Sequence, residues 1–469
     1  MDQISGYPKN LSFNLKRLQG SIIKQKILIN SDKSLYLPNE RVIFNFPIGR
    51  MIDTRSVVGT AKCTSTAGNH FPRGGLNALI ENLQITANSR VIQSTQCYNF
   101  IWSTLADISG YWSYEQLSKR IYENSDPSLK HDNPTGVAAP VITNACTSVA
   151  AAGADTYYFS ISSWIGFLSS SAPTINTNDI GQIQMILTLA PNTCMFLGAG
   201  AAGSGVAVGN YTVDEFTLSM DTITFTDSLY YDLVKSQLQG NGLNIAYSDY
   251  LYSSGQSWTK VANTTQTIVS QFSTNSLDQI IATVRHTSFN TPGPLLLSDA
   301  VYSTTLASIV GSTKTLQEVI SNPIANENTY GTYNNTIYFM RPGGAIQSSS
   351  WYVNSQPFTV ASTPIQIYNN TLQALDYANI DISAGSPNFN LTSGFYNKTS
   401  FVDILSLENI SNDGNNWVSG LGGNGGIINV QYQATFSAAS VENVVVPIII
   451  AKVSKIMNIK IGRNIDIME

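Results

Sequence analysis

The sequence predicts an all-β protein of two tandem domains, and three observations carry this prediction. Apolar and polar residues alternate with a period of two in many segments, most clearly at 428–436 (INVQYQATF). A short segment at 83–93, LQITANSRVIQ, is echoed by PFTVASTPIQ at 357–366. Long Gly-, Asn- and Ser-rich stretches separate the alternating segments, and helical patterns are few. Such alternation is typical of strands that pack one face on a core.

Three further segments alternate in the same way, at 40–46 (ERVIFNF), 157–161 and 181–189 (GQIQMILTL). In each of them, every second residue is apolar and is predicted to point inward. The predicted core residues are Val42, Phe44, Phe46, Tyr157, Phe159, Ile161, Ile183, Met185, Leu187, Leu189, Ile428, Val430, Tyr432, Ala434 and Phe436.

The echo indicates an internal duplication. With Ile85 placed on Phe358, an offset of 273, identical residues coincide at Thr86/Thr359, Ser89/Ser362, Ile92/Ile365 and Gln93/Gln366. A short helical pattern follows each copy, at 99–108 and 370–379. Later in each half comes an alternating strand, from Gly181 and from Gly426. The alternative is that β-rich sequences reuse similar patterns by chance.

The predicted organisation has four parts. Residues 1–26 form an N-terminal arm, 27–227 the first domain, 228–240 a connecting helix, and 241–469 the second domain with a C-terminal strand. The connecting helix (LYYDLVKSQLQ) follows the capping candidates Asp227 and Ser228 and stops at Gly240. Domains of this size with about eight strands and long loops favour a jelly roll. The fold prediction is therefore two tandem eight-stranded jelly rolls with few short helices.

The composition favours a protein with many neighbours. Only 12% of the 469 residues are charged, about half the usual share of roughly 25%. Amide and hydroxyl groups are easier to satisfy at an interface than unpaired charges. A secreted β-rich protein would have a similar composition, so this alternative stays open.

The net charge, the apolar runs and the cysteines argue against a nucleic-acid binder, a membrane-spanning protein and a disulfide-rich secreted protein. A net charge of −5 argues against a general nucleic-acid binder. The longest apolar run, at 444–451, is far shorter than the roughly 20 residues that span a membrane. No signal-peptide pattern is visible, and four widely spaced cysteines indicate reduced thiols rather than a disulfide framework. Synthesis in a cytoplasm is the expectation.

No motif for catalysis, metal binding or a cofactor stands out. The three histidines (His70, His131, His286) form no HExxH pair, and no GxSxG motif occurs. The Gly-rich stretches at 198–209 and 420–426 lack the Lys-Ser/Thr of a phosphate loop. Catalytic, cofactor and metal residues are therefore predicted to be none. A convergent carboxylate pair of a glycosidase stays open, because such pairs leave no local pattern.

The N-terminal stretch is basic and partly amphipathic. It carries Lys9, Lys16, Arg17, Lys24 and Lys26, interspersed with apolar residues. Such a segment suits an acidic lipid surface or a genome. The alternative is ordinary solvated charge at a chain end.

Two local stretches resemble a known family. FNFPIGRMIDTRS at 44–56 and FPRGGLNALIENLQITANSRVI at 71–92 resemble early strands of double jelly-roll major capsid proteins. These belong to tailless icosahedral DNA viruses, including polinton-like viruses, virophages, membrane-containing phages and the adenovirus-hexon lineage. With the predicted architecture, the resemblance extends over nearly the whole chain. It carries no catalytic signature.

The resemblance implies a structural role without enzymatic activity. Homotrimers of pseudo-hexameric outline would tile an icosahedral virion shell around the genome, with a penton or minor capsid protein as a further partner. The basic residues Lys9, Lys16, Arg17, Lys24 and Lys26 would face the interior and meet an internal membrane or genome, without a specific nucleic-acid sequence. The protein would be made in the host cytoplasm and reside in the virion.

Two other classes remain as alternatives. The first is a surface adhesin or glycan-binding β-sandwich, in which Trp258, Trp351 and Trp417 would stack on sugars, although such residues are more often core or interface anchors. The second is a β-rich hydrolase.

Overall fold

The computed structural model describes residues 22–65, 69–72, 74–108, 156–169, 174–197, 210–225, 236, 238–239, 242–290, 337–339, 341–343, 345–376, 401–408, 420–422, 426–437 and 444–468. Strands dominate these residues, which confirms the all-β prediction. The helices among them are α1 (Tyr98–Ile108), α2 (Thr177–Ile180) and α3 (Pro364–Asp376).

The first domain contains thirteen of the described strands. They are β1 (Ile22–Asn30), β2 (Leu35–Tyr36), β3 (Arg41–Asn45), β4 (Met51–Asp53), β5 (Val58–Ser65), β6 (Asn69–His70), β7 (Ile80–Ala87), β8 (Arg90–Thr95), β9 (Thr156–Ile161), β10 (Thr174–Asn176), β11 (Ile183–Leu189), β12 (Phe196–Leu197) and β13 (Tyr211–Phe225).

The second domain contains the other ten. They are β14 (Leu243–Ser254), β15 (Trp258–Thr259), β16 (Thr265–Ser273), β17 (Leu277–His286), β18 (Ile346–Val353), β19 (Gln356–Ser362), β20 (Asp403–Ser406), β21 (Ile427–Phe436), β22 (Val444–Lys460) and β23 (Asn464–Met468).

Each domain consists of two antiparallel sheets with one shared plan. One sheet, here the long-strand sheet, has the central order β1-β13-β5-β9 in the first domain and β14-β22-β17-β20 in the second. The other, here the hairpin sheet, has the order β3-β11-β7-β8 and β16-β21-β18-β19. A helix follows the hairpin in both domains, α1 after β8 and α3 after β19. This pairing of eight strands is a jelly roll, so the predicted pair of jelly rolls is confirmed.

The duplication is confirmed, but the structure corrects its register. The β7–β8 turn is made by Asn88 and Ser89 with φ of 48° and 65°, and the β18–β19 turn by Asn354 and Ser355 with φ of 50° and 65°. These are matching two-residue hairpin turns, which need φ > 0 at both positions. Asn354 follows Asn88 by 266 residues, and α3 begins 266 residues after α1. The offset of 273 is therefore wrong.

The error has a physical cause in the segment TPIQ. The offset of 273 sets it on residues 90–93 of strand β8, whereas its Pro364 begins α3, six residues before the predicted helix at 370–379. The side-chain oxygen of Gln366 accepts a hydrogen bond from the backbone N–H of Thr363 at 2.8 Å, which is half of a capping box. Pro364 stands at the first helical position, where its fixed φ and missing N–H fit. By contrast, the predicted helix at 99–108 is confirmed in α1.

The alternating residues form the cores as predicted. Val42, Phe44 and Phe46 are buried in the first jelly roll, as are the inward residues of β11. Val430, Tyr432 and the other predicted inward residues of β21 are buried in the second. Tyr157 is half-buried and stacks on Phe159 at 5.5 Å. Burial of each large apolar side chain stabilises the fold by about 1.5–3 kcal/mol.

The structure can be compared with two predicted boundaries, the end of the N-terminal arm at 26/27 and the connecting helix at 228–240. Lys24 and Lys26 lie within β1, which pairs with β13 over its whole length, so the boundary at 26/27 falls inside a strand. Of the predicted connecting helix, only residues 236, 238 and 239 are described, and these are helical. Its extent stays a prediction. The last strand, β23, pairs with β22.

Candidate assembly surfaces

The long-strand sheet of the second jelly roll packs on the hairpin sheet of the first. Tyr247 of β14 donates a hydrogen bond from Oη to the carbonyl oxygen of Ile92 at 2.6 Å. Its ring meets Phe167 edge-on at 5.4 Å. Ile245 and Met457 are buried in the core of the first jelly roll, although both belong to strands of the second. The two cores are therefore in direct contact.

A buried charged pair lies in this interface. Nζ of Lys455 is 3.1 Å from a carboxylate oxygen of Asp249, and both side chains are more than nine-tenths buried. Thr95 of the first jelly roll donates to the other Asp249 oxygen at 3.2 Å. A buried charge is tolerated when it is paired and hydrogen-bonded, so this triad fixes β14 against β8.

Two buried arginines of the second jelly roll lie against α1 of the first. The guanidinium of Arg285 lies 3.7 Å from the ring centroid of Phe289, 4.2 Å from that of Tyr338 and 4.8 Å from that of Phe100. Arginine stacks well on aromatic rings because its planar charge is weakly hydrated. Phe100 comes from α1 of the first jelly roll, so Arg285 joins the two domains.

The second arginine forms an ion pair across the same interface. Arg341 is fully buried, and its Nη2 contacts a carboxylate oxygen of Asp107 at the end of α1. The turn before β23 adds exposed hydrogen bonds, since Asn88 donates to the carbonyl oxygen of Arg463 at 3.1 Å and Arg463 donates to that of Asn178 at 3.0 Å. These contacts hold the two jelly rolls as one body.

Comparison with solved structures finds the same architecture in viral shells. The chain is similar to VP54 of the virus PBCV-1, fitted into a reconstruction of the virophage Sputnik (TM-score 0.58, 11% identity, 96% of this chain and 97% of that one). It is also similar to a chain of the Sputnik virophage structure (0.55, 11%, 100% and 93%) and to the Faustovirus major capsid protein (0.53, 9%, 98% and 93%). The fold is the double jelly roll of viral major capsid proteins.

Comparisons of the sequence, unlike those of the structure, find no relative. No protein-family model matches the chain, and no curated protein matches it. At such low identity, the double jelly roll is preserved by the alternation and pairing of strands rather than by particular residues.

The basic residues predicted for an inner face divide into two groups. Lys9, Lys16 and Arg17 lie outside the described residues. Lys24 is exposed on the long-strand sheet, with Nζ 2.9 Å from Asp221 and 3.6 Å from Asp53. The hydrogen bond to Asp221 raises the pKa of Lys24. Lys26 is exposed and stands opposite Asp221 in the strand register. Part of the positive charge predicted for the inner face is thus balanced by aspartates of the first jelly roll.

The structure shows where two of the three histidines lie and how the described metal-ligating residues are placed. Of the histidines, His70 lies in β6, His286 ends β17 and is half-buried, and His131 is outside the described residues. No described group of three or more His, Cys, Asp or Glu residues is placed to hold a metal ion. Among the described helices, none is long and apolar enough to cross a membrane.

The cysteines described by the structure are free thiols. Cys63 and Cys194 are buried and Cys97 is half-buried. Burial raises the pKa of all three thiols, that of Cys97 to about 11. They therefore remain protonated near neutral pH and are poor nucleophiles. Cys146 lies outside the described residues.

Two of the three tryptophans proposed for sugar stacking are in the core. Trp258 and Trp351 are buried, and Trp351 packs on Tyr432 with ring centroids 4.6 Å apart. They are structural anchors of the second jelly roll. Trp417 lies outside the described residues. The adhesin alternative loses its support from Trp258 and Trp351.

The hairpin sheet of the second jelly roll carries no charge. None of its strands contains Asp, Glu, Lys, Arg or His, whereas the first hairpin sheet has Arg41, Glu81 and Arg90. Its exposed large apolar side chains are Val269, Phe358, Val360 and Ile427. A surface of amide, hydroxyl and apolar groups is suited to burial against another protein. The charge-free runs were visible in the sequence, whereas the buried arginines left no signal there.

The buried carboxyl group of Asp403 is predicted to make the stability of the folded protein depend on pH. Asp403 of β20 accepts a hydrogen bond from Ser349 of β18 at 2.6 Å and so links the two sheets of the second jelly roll. Burial raises the pKa of the Asp403 carboxyl, and the Ser349 hydrogen bond opposes this only in part. The folded state thus binds this proton more tightly than the unfolded state. Its stabilising contribution is complete below the unfolded pKa, about 3.9, and is lost as pH rises through the folded pKa.

Replacing Asp403 with asparagine should remove this contribution. The free energy of unfolding of D403N minus that of the wild type should rise as pH increases above about 3.9 and then level off. Urea unfolding of both proteins at a series of pH values measures this difference and cancels other titrating groups. A difference independent of pH would contradict the assignment.

Proposed function

We propose that the chain is a major capsid protein that assembles as homotrimers of pseudo-hexameric outline and tiles an icosahedral virion shell around a genome. The observation that carries this proposal is the pair of equivalent jelly rolls, locked into one body and similar over nearly the whole chain to proteins of viral shells. A fold alone does not determine a function. This fold, however, supplies two equivalent building blocks in one chain, which suits a shell made of many repeated units.

The proposed mechanism is assembly rather than turnover. Three chains would place six jelly rolls around one axis, and the two copies in each chain remain free to differ in their loops. Obligate interfaces of this kind bury about 2,000–5,000 Å². The charge-free hairpin sheet supports this, because like charges repeated over many copies would repel one another.

The inner face of the shell is proposed to include the N-terminal segment. Lys9, Lys16, Arg17 and Lys26 would contact an acidic lipid surface or a genome without reading a sequence. Lys24 contributes less, because Asp221 and Asp53 already balance its charge. A penton or minor capsid protein would be a further partner, with synthesis in the host cytoplasm and residence in the virion.

The test is the mass and shape of the purified native protein. Light scattering after size exclusion should give three chain masses of 50.8 kDa each, without smaller species on dilution to the micromolar range. Negative-stain electron microscopy should show particles of hexagonal outline. A stable monomer at micromolar concentration would overturn the proposed assembly.

A further inference from the structure

The two hairpin sheets, as far as the structure describes them, have four edge strands, and three of these are obstructed. On β3, Ile43 donates from its N–H to a carboxylate oxygen of Asp32 at 2.8 Å, and its carbonyl oxygen accepts from the N–H of Asp32 at 3.2 Å. On β8, Tyr247 of the second jelly roll donates to the carbonyl oxygen of Ile92. On β19, Pro357 lacks an N–H, and the pairing with β18 is irregular. Obstruction of this kind prevents a sheet edge from pairing with other chains.

The fourth edge strand, β16, has none of these features. It pairs with β21 in unbroken register over all nine of its residues and contains neither proline nor a charged side chain. Phe436 donates from its N–H to the carbonyl oxygen of Thr264 at 3.1 Å, so the even-numbered residues of β16 bond to β21 and the backbone groups of the odd-numbered ones point to the edge. Within the described part of the chain, no hydrogen bond reaches the N–H of Thr267, Val269 or Gln271.

The duplication allows a direct comparison of β16 with β3. Matching turns precede the two strands, in which Asn39 and Asn263 have φ of 66° and 56°. Asn263 follows Asn39 by 224 residues, and at this offset Thr267 of β16 corresponds to Ile43 of β3. Both backbone groups of Ile43 are bonded to Asp32, whereas the N–H of Thr267 has no such partner among the described residues. The same edge is therefore closed in the first jelly roll and open in the second.

We propose that β16 pairs antiparallel with β16 of a second copy of this chain, about a twofold axis at Val269. The two four-stranded hairpin sheets would then form one sheet across two chains, through about ten backbone hydrogen bonds. Such an isologous contact joins two copies and cannot close a ring of three. The inference rests on the proposed capsid function and deepens it, since the contact would link one trimer to the next.

The sequence of β16 suits pairing with itself. About an axis at Val269, Thr267 stands opposite Gln271 of the partner subunit, and Thr265 stands opposite Ser273 of the partner subunit. Val269, which is 60% exposed in the single chain, would pack against its own copy. A charged residue on a strand that pairs with itself would meet its like or lie close to it, and like charges that face each other across strands are destabilising. The absence of charge from β16 avoids this repulsion.

The test places charges at the proposed axis. Light scattering should show wild-type trimers associating into larger species as the protein concentration is raised. Val269→Lys and Val269→Glu each put like charges opposite one another, so each variant should remain a trimer and lose the larger species. An equal mixture of V269K and V269E should regain them, because unlike charges then face each other. Val269→Thr keeps an uncharged β-branched side chain and should associate as the wild type does.

The outcomes separate this inference from the proposed function. Wild-type trimers that never associate, or charged variants that associate as readily as the wild type, would overturn the inference and leave the proposed trimer standing. Loss of association without recovery in the mixture would overturn the pairing of β16 with itself. Charged variants that fall apart into single chains would place Val269 inside the trimer and also overturn it. A monomeric wild type would overturn the proposed function.

Hydrogen exchange gives a second, independent readout on the backbone itself. The peptide containing residues 265–273 should exchange more slowly in associated wild-type protein than in V269K trimers, because the outward N–H groups of β16 become bonded. The peptide containing residues 356–362 of β19 serves as the control and should exchange equally in both. Equal exchange at 265–273 would contradict strand pairing, even if V269K fails to associate.

Discussion

Replacing Asp107 with asparagine is expected to destabilise the protein by about 3–5 kcal/mol. The substitution removes the charge that compensates the guanidinium of Arg341, which is fully buried between the two jelly rolls. An arginine cannot release its proton to adapt, so the unpaired charge would remain in a medium of low polarity. The measurement is the urea dependence of unfolding, followed by circular dichroism.

A matched control lies in the same domain contact. Asp466 of β23 pairs with Arg90 of β8 at 3.1 Å, and this ion pair also joins the two jelly rolls. Both of its side chains are exposed, and such pairs contribute little because water screens them. Asp466→Asn should leave the unfolding midpoint nearly unchanged. Equal shifts in D107N and D466N would show that the buried pair has no special role.

Replacing Trp351 with alanine is the second large effect, expected at about 3–5 kcal/mol. Trp351 is 1% exposed and packs on Tyr432, so the truncation leaves a cavity between the sheets of the second jelly roll. The adjacent residue, Tyr352, is half-buried on the opposite face of β18. Tyr352→Ala should cost only about 1 kcal/mol. Unfolding in urea distinguishes the two variants.

The same pair of variants tests the glycan-binding alternative. A tryptophan that stacks on sugars is exposed, and its loss reduces glycan binding without affecting stability. If W351A unfolds at the same urea concentration as the wild type, then Trp351 is not the core anchor that the structure shows.

The buried faces of the strands could be predicted from the sequence. At β3, β11 and β21, each residue turns its side chain to the face opposite that of its neighbour, so alternation of apolar residues reveals the inward face. That a helix follows each hairpin could also be predicted from the sequence, because α1 has a clear helical pattern. These features depend on the neighbours of a residue along the chain.

The register of the duplication could not be predicted reliably. Hydroxyl and amide residues recur at the outward positions of many strands here, so a few identities arise at an offset seven residues from the structural one. The capping of α3 by Thr363 and Gln366 and the paired turns at Asn88 and Asn354 carry the correct register. They are recognised once the strand pairing is known.

The sequence by itself determined the all-β class, the two jelly rolls, their buried faces and the low charge of the surface, because these follow from local alternation and composition. Only the tertiary structure decided which surfaces are already covered. Asp107 and Arg341 are 234 residues apart, and Ile92 and Phe358 occupy matching positions with opposite exposure. Such differences arise from how one jelly roll packs on the other, a long-range arrangement that no short stretch of chain encodes.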